Sequence, residues 1–211
     1  IANRMAEQPD TQVFFVYRYF KTYQLGVDRD LSEKVHAIPL SLLSNGTFFH
    51  RVNLSVNNRF LRRMVKLPFW FLQKIGLCIP YNYFALRRTF SCIKPDLVHV
   101  NNGGYPASFI SQIAVFAAKH SRVDKIVYHI NNPAQKQAGL LDKVIDKKIN
   151  QYVNYFITAS RQALESLSQE RSFDVHKLVQ VYNTIENPVI TKSKHEICRI
   201  HNIKEDKFIL C

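Results

Sequence analysis

Residues Ile93 to Tyr105 read IKPDLVHVNNGGY, and this stretch constrains the fold more than any other. Pro95 has no N–H to give to a sheet ladder, so an extended run starts after it. The apolar run Leu97-Val98-His99-Val100 halts at Asn101, Asn102, Gly103 and Gly104. Asparagine tolerates unusual backbone angles and glycine takes positive φ at little cost, so a turn is expected there. A helical pattern then runs from near Pro106 to about Lys119. Strand, glycine turn and helix in this order aim a helix N-terminus at the carboxyl end of a strand. Open α/β sheets gather their polar groups at that edge.

The same pattern recurs downstream at IVYHINNP (Ile126 to Pro133), NYFITAS (Asn154 to Ser160) and VQVYNTIENP (Val179 to Pro188). Helical patterns at Ala138 to Gln151 and Arg161 to Gln169 separate them, with Ser160 placed to cap the second. Upstream, Val13 to Tyr17 and Val35 to Pro39 read as strands, and the polar stretch Tyr23 to Lys34 reads as a loop with a short turn. The alternation predicts an α/β, Rossmann-like fold with a mostly parallel sheet and helices on both faces. One domain is expected over residues 1–190. Residues 191–211 are expected to form a linker, a short helix from Lys194 to Asn202, and a strand at Lys207 to Cys211.

With 46% hydrophobic residues the chain can build a proper core, which excludes a disordered protein. Its charge of +13 is unevenly placed. No acidic residue occurs between Glu33 and Asp96, while Arg51, Arg59, Arg62, Arg63, Lys66, Lys74, Arg87, Arg88 and Lys94 all fall inside that interval. Within it, Arg59 to Ile79 has a helical period, with Phe60, Met64, Leu67, Phe71, Ile75 and Cys78 on one stripe. Pro68 is expected to break or kink this helix unless it starts a second one. A cationic, aromatic-rich stripe of this kind reads equally as an interfacial membrane helix or as core packing. The apolar run from Leu67 to Leu77 is too short to span a bilayer, which takes about 20 apolar residues. Cys78, Cys92, Cys198 and Cys211 lie far apart, giving neither a zinc pattern nor a disulfide framework, so a reducing compartment is the simpler assumption.

In order and spacing these strands resemble the N-terminal domain of retaining glycosyltransferases of family 4, the two-Rossmann-domain type. The matching residues are PDLVHVNN in the first strand, the strand closing on His129, the strand closing on Ser160, and VYNTIEN around Asn183. The resemblance covers roughly Phe14 to Cys211. It departs from the family at Asn101, where many relatives carry a second histidine, and at Thr184, where they carry glycine. What it implies is transfer of a sugar from a nucleotide-sugar co-substrate to a glycan or lipid-linked acceptor with retention, without metal or other cofactor. It also implies work at a membrane surface, as a cytoplasmic protein peripheral on the inner face. The charge of residues 51–94 fits docking to anionic lipid or to an anionic acceptor, with a merely solvated surface as the alternative, and no nucleic-acid partner is expected. By the same resemblance a first strand with its glycine loop would precede this sequence, residues 191–211 would be the linker and first strand of a C-terminal donor domain, and the donor-side Arg, Lys and Glu would follow. The chain alone is therefore expected to be inactive.

His129 is the expected catalytic residue, since imidazole can donate, accept or turn positive beside phosphate. The alternative is a buried histidine bonded to backbone. Asn101, Asn102, the amides of Gly103 and Gly104, Tyr105 and Asn131 are expected substrate contacts, with Tyr105 as a stacking platform for a sugar ring. Ser160 and Asn183 are expected at a cleft or interdomain hinge. His99 reads as structural and His36 as packed or surface-exposed. A rival reading is a non-catalytic basic α/β module that binds nucleic acid or an anionic membrane, although the chain lacks an aromatic stacking signature for nucleic acid. A Rossmann dehydrogenase would need GxGxxG, which is missing.

Overall fold

A computed structural model describes residues 1–44, 49, 52–74, 78–182 and 193–200. The chain divides into two units, Ile1–Val181 and Tyr182–Cys211. The first unit runs α1 (Ala2–Met5), β1 (Val13–Arg18), α2 (Lys21–Asp30), β2 (Val35–Leu40), α3 (Arg59–Lys74), α4 (Cys78–Ile93) and β3 (Leu97–Asn102). It continues through α5 (Phe109–His120), β4 (Lys125–Ile130), α6 (Leu140–Tyr152), β5 (Tyr155–Thr158), α7 (Arg161–Arg171) and β6 (Leu178–Gln180). This is an α/β, Rossmann-like arrangement in which every strand pair is parallel and helices surround the sheets.

The strands form two sheets rather than one. β1 pairs with β2, in register from Val13↔Val35 to Arg18↔Leu40. β3, β4, β5 and β6 form the second sheet in sequence order. No described strand links β1 to β3, so the ladder is interrupted between them. Each parallel neighbour in the second sheet is reached through a helical crossover, as parallel pairing requires.

Side-chain alternation makes the two faces of the second sheet unequal. Val98, Val100, Ile126, Tyr128, Ile130, Phe156 and Thr158 are buried on one face. They pack with Leu86 and Phe90 of α4, Ile113, Val115 and Ala117 of α5, Ile149 of α6 and Leu167 of α7. Burying each large apolar side chain contributes about 1.5–3 kcal/mol, so this face carries most of the stability. On the other face Leu97, Tyr155 and Val179 remain exposed, while His99, Val127 and Ile157 are half-buried.

Two local expectations are overturned. Lys21–Asp30 is a helix, not a loop. Its polar sequence and Gly26 hide the helical signal, because only Val27 is buried. Side chains supply what the core does not: Gln24 Nε2 donates to Asp28 Oδ1 at 2.5 Å, one turn on, and Tyr17 donates its hydroxyl to Gln24. Pro68 neither breaks nor restarts α3, which continues from Arg59 to Lys74. Proline removes one backbone donor, and the Met64 carbonyl one turn earlier goes without its usual partner. Among the described residues no helix is long and apolar enough to cross a membrane.

The second unit contains α8 (Lys194–Ile200), whose first turn is closed by a capping box. Ser193 N and Oγ donate to Glu196 Oε2 at 2.8 and 3.0 Å, and Glu196 N donates back to Ser193 Oγ. Asn183 and the strand expected at Lys207 to Cys211 lie outside the described residues.

Candidate functional site

The candidate residues converge on the carboxyl edge of β3 and β4, and register explains which of them meet. Asn101 pairs with His129 and Asn102 with Ile130 across the ladder. Beyond the strands the two loops stay zipped. Asn131 N donates to Asn102 O at 3.3 Å, Asn132 N to Gly103 O at 2.8 Å and Gln135 N to Tyr105 O at 2.9 Å. These bonds hold the asparagine and glycine loop of one strand against the asparagine loop of the next.

Alternation sends adjacent residues in opposite directions. Asn101 is exposed, and its Oδ1 accepts from Asn131 Nδ2 at 3.4 Å. Asn102 turns into the core, where its Nδ2 donates to the Tyr128 hydroxyl at 3.2 Å. Asn102 is thus a structural residue, which corrects its expected role as a substrate contact. Gly103 and Gly104 also depart from expectation, since neither adopts a left-handed φ. A Cβ on Gly103 would have only Asn132 Nδ2 at 4.0 Å, and one on Gly104 would meet Ala107 and Asn132 at ordinary contact distance. The fold itself therefore does not demand glycine at these positions.

His129 lies on the same sheet face as Asn101, stacked parallel to His99 with ring centroids 5.7 Å apart and an 8° interplanar angle. Both nitrogens of His129 and Nε2 of His99 are sealed from solvent without a hydrogen-bond partner. The alternative of a histidine bonded to backbone does not hold. Burial holds both imidazoles below the ordinary histidine pKa, and for His99 the neighbouring His129 adds to the effect. A buried unsatisfied polar group costs about 1–3 kcal/mol, so the pair is poised to gain from any partner that reaches it.

Tyr105 is not a stacking platform. It is 1% exposed, and its ring packs at 5.0 Å from Phe173 and 5.9 Å from Tyr128. Its hydroxyl donates to Asp146 Oδ1 at 2.6 Å. Asp146 Oδ2 accepts from Gln137 Nε2 at 2.7 Å and from Arg171 Nη1 at 3.0 Å. Arg171 also donates through Nε to Gln135 O at 2.7 Å, and its guanidinium sits 5.2 Å from the Tyr105 ring centroid. Burial, and then the Asp146 carboxylate, push the Tyr105 hydroxyl far above the usual phenol range. This network anchors the loops that follow β3 and β4, beside Asn101 and Asn131, to α6 and α7.

Ser160 caps α7, its Oγ accepting from Ala163 N at 3.2 Å. It is half-buried at the end of β5, on the same edge of the sheet. Sequence reading missed Gln137, Asp146 and Arg171, which are scattered singly along the chain. Among the described residues no group of three or more His, Cys, Asp or Glu could hold a metal ion.

No protein-family model matches the chain. No curated protein matches it either. Among solved structures, the S. aureus MnaA–UDP co-structure is similar over 80% of this chain and 42% of that one, with 12% identity and a TM-score of 0.42. The chain thus spans less than half the length of that neighbour, and a likeness at this level carries no argument about function.

Proposed function

We propose that this chain is the acceptor-side portion of a glycosyltransferase that moves a sugar from a nucleotide sugar to a glycan or lipid-linked acceptor with retention. The observation that supports this reading is the sheet edge where His129, Asn101 and Asn131 stand together. A sugar presents hydroxyls that donate and accept at once. Two carboxamides and an imidazole match that pattern without a fixed charge.

In this reading Asn101 and Asn131 orient the acceptor, and the exposed backbone at Gly103 gives a close approach to its ring. His129 contacts the reacting hydroxyl. Its lowered pKa keeps the imidazole neutral at pH 7, so one nitrogen can accept a proton. To reach a hydroxyl the ring must turn out of its stack on His99. The donor diphosphate is left to residues of a partner domain, and stabilising that leaving group would do the main work of transfer. The chain alone therefore binds sugars weakly and transfers none.

The test is an NMR titration of the full chain with alkyl glycosides and, separately, with UDP-sugars and GDP-sugars, following the histidine ring and asparagine side-chain signals. Signals of His129, Asn101 and Asn131 are expected to move while exposed His176 stays fixed, and His129→Asn is expected to weaken the response. If no sugar perturbs that edge, the reading fails. Sugar transfer by the chain alone would overturn the division of labour between two domains.

A further inference from the structure

We propose that α3 is an interfacial helix that lays its apolar side into an anionic lipid bilayer. At 100° per residue, Phe60, Leu61, Met64, Val65 and Leu67 gather on one side of α3, and Arg59, Arg62, Arg63 and Lys66 on the other. Folding leaves the apolar side uncovered. Phe60 is 73% exposed and Leu67 55%, and Leu61, Met64 and Val65 are exposed beside them. Water-facing surfaces scatter such residues singly, whereas here they form one continuous arc over two turns.

The basic side is shaped for anions. Arg59 and Arg63 are exposed. Arg62 donates through Nε and Nη2 to Val56 O at 3.0 and 2.9 Å, and Lys66 Nζ donates to Asn53 Oδ1 at 2.5 Å. Both of those partners are neutral, so neither bond compensates the positive charge. No carboxylate lies anywhere from Lys34 to Pro95 to compensate it.

A bilayer with anionic headgroups satisfies both sides of the helix at once: the apolar arc enters the acyl boundary and the cations stay at phosphate level. Nucleic acid would take the cations and leave Phe60, Leu61 and Leu67 in water. Sixteen residues at 1.5 Å each make a rod of roughly 24 Å, and with a cation on nearly every turn it lies in the interface rather than crossing it. This inference goes beyond the sugar-transfer reading and does not rest on it.

Trp70, the only tryptophan of the chain, sits on α3 on the side that carries Arg59 and Arg63, so it reports from headgroup level while the apolar arc points deeper. The experiment mixes the full chain with vesicles of phosphatidylcholine containing phosphatidylglycerol, without nucleotide or sugar, and records flotation, Trp70 emission and quenching by brominated acyl chains. Binding that weakens as salt is raised is expected, with a modest blue shift of Trp70 and quenching only by bromines placed near the headgroups. Arg63→Gln should weaken partitioning about fivefold, the worth of one basic residue near a charged surface. Phe60→Ser combined with Leu67→Ser should weaken it at least about tenfold, and circular dichroism should confirm an unchanged fold. Failure to bind these vesicles overturns the proposal, and so does binding that the serine variant leaves unchanged. Tight, salt-dependent binding of a random oligonucleotide that survives the serine substitutions, with no vesicle binding, would overturn it in favour of a nucleic-acid surface.

Discussion

Arg171 Nη1 meets Asp146 Oδ2 at 3.0 Å, with the two side chains only 1% and 2% exposed. Neither charge can be left alone in that position. Asp146→Leu is expected to lower stability by about 3 kcal/mol, because it leaves the buried guanidinium only the longer, half-exposed contact from Nη1 to Asp142 Oδ2 at 3.3 Å. Arg171→Met should cost a similar amount by stranding the carboxylate. The double variant should cost clearly less than the two single losses added together, since no charge then remains unpaired. Urea unfolding of the three variants measures this coupling.

Tyr105→Phe separates support from function. The ring contacts with Phe173 and Tyr128 survive, and only the donor to Asp146 Oδ1 is removed. A stability loss of about 1–3 kcal/mol is expected. Sugar-induced shifts at His129 should persist in the same variant, because the buried Tyr105 ring has no surface to offer a ligand. A Tyr105 that stacked on sugar would lose binding on Tyr105→Ala while stability held, and calorimetry beside the titration distinguishes the two.

Gly103→Ala and Gly104→Ala test whether backbone exposure serves a ligand. Neither glycine has a left-handed φ, and neither site is tighter than ordinary contact. Stability should therefore hold or rise by up to about 1 kcal/mol as the unfolded chain loses freedom. If the proposed acceptor site is correct, Gly103→Ala nevertheless weakens sugar binding. A loss of stability above that range would mean the loop needs glycine for folding.

The His99 and His129 pair sets an acid limit on the fold. Both pKa values are lower in the folded chain than the usual 6.5, so below that pH the unfolded state binds more protons. Their contribution is fully present above pH 6.5. It is lost progressively as pH falls from there towards the folded values and is constant below them. Melting temperature should fall on acidification through that window, and more gently in the variant carrying both His99→Asn and His129→Asn. A melting profile identical in the two proteins would show that the pair is not responsible.

How far the sequence could be read follows from which signals are local. The β3 to β6 series was legible because each strand is a short apolar run ended by turn residues, and Ser160 stood where a helix cap belongs. Asn101, Asn131 and His129 could be grouped because all close strands of one parallel sheet. The opposite fates of Asn101 and Asn102 rest on the phase of a two-residue alternation, which adjacent identical residues conceal. Asp146 and Arg171 were illegible for a different reason. They are 25 positions apart, on different helices, and a lone charge on a helix ordinarily faces water. The loop expected at Tyr23 to Lys34 failed because α2 is held largely by side-chain bonds and carries no apolar stripe to read.

Asn102 is followed by Gly103, the dipeptide in which an asparagine side chain most readily cyclises onto the next backbone nitrogen with loss of ammonia, the cyclic imide then hydrolysing to aspartate or isoaspartate. In this chain the reaction is blocked by geometry: the Asn102 amide is buried and bonded to the Tyr128 hydroxyl, and its residue is fixed in β3. Only molecules whose sheet edge has opened can age at this position. Deamidation of Asn102, followed by peptide mass analysis over days, is expected to run far slower than in an unfolded chain and to accelerate in Tyr128→Phe. Stored protein would thus carry a chemical clock that counts openings of the edge where the acceptor is proposed to bind.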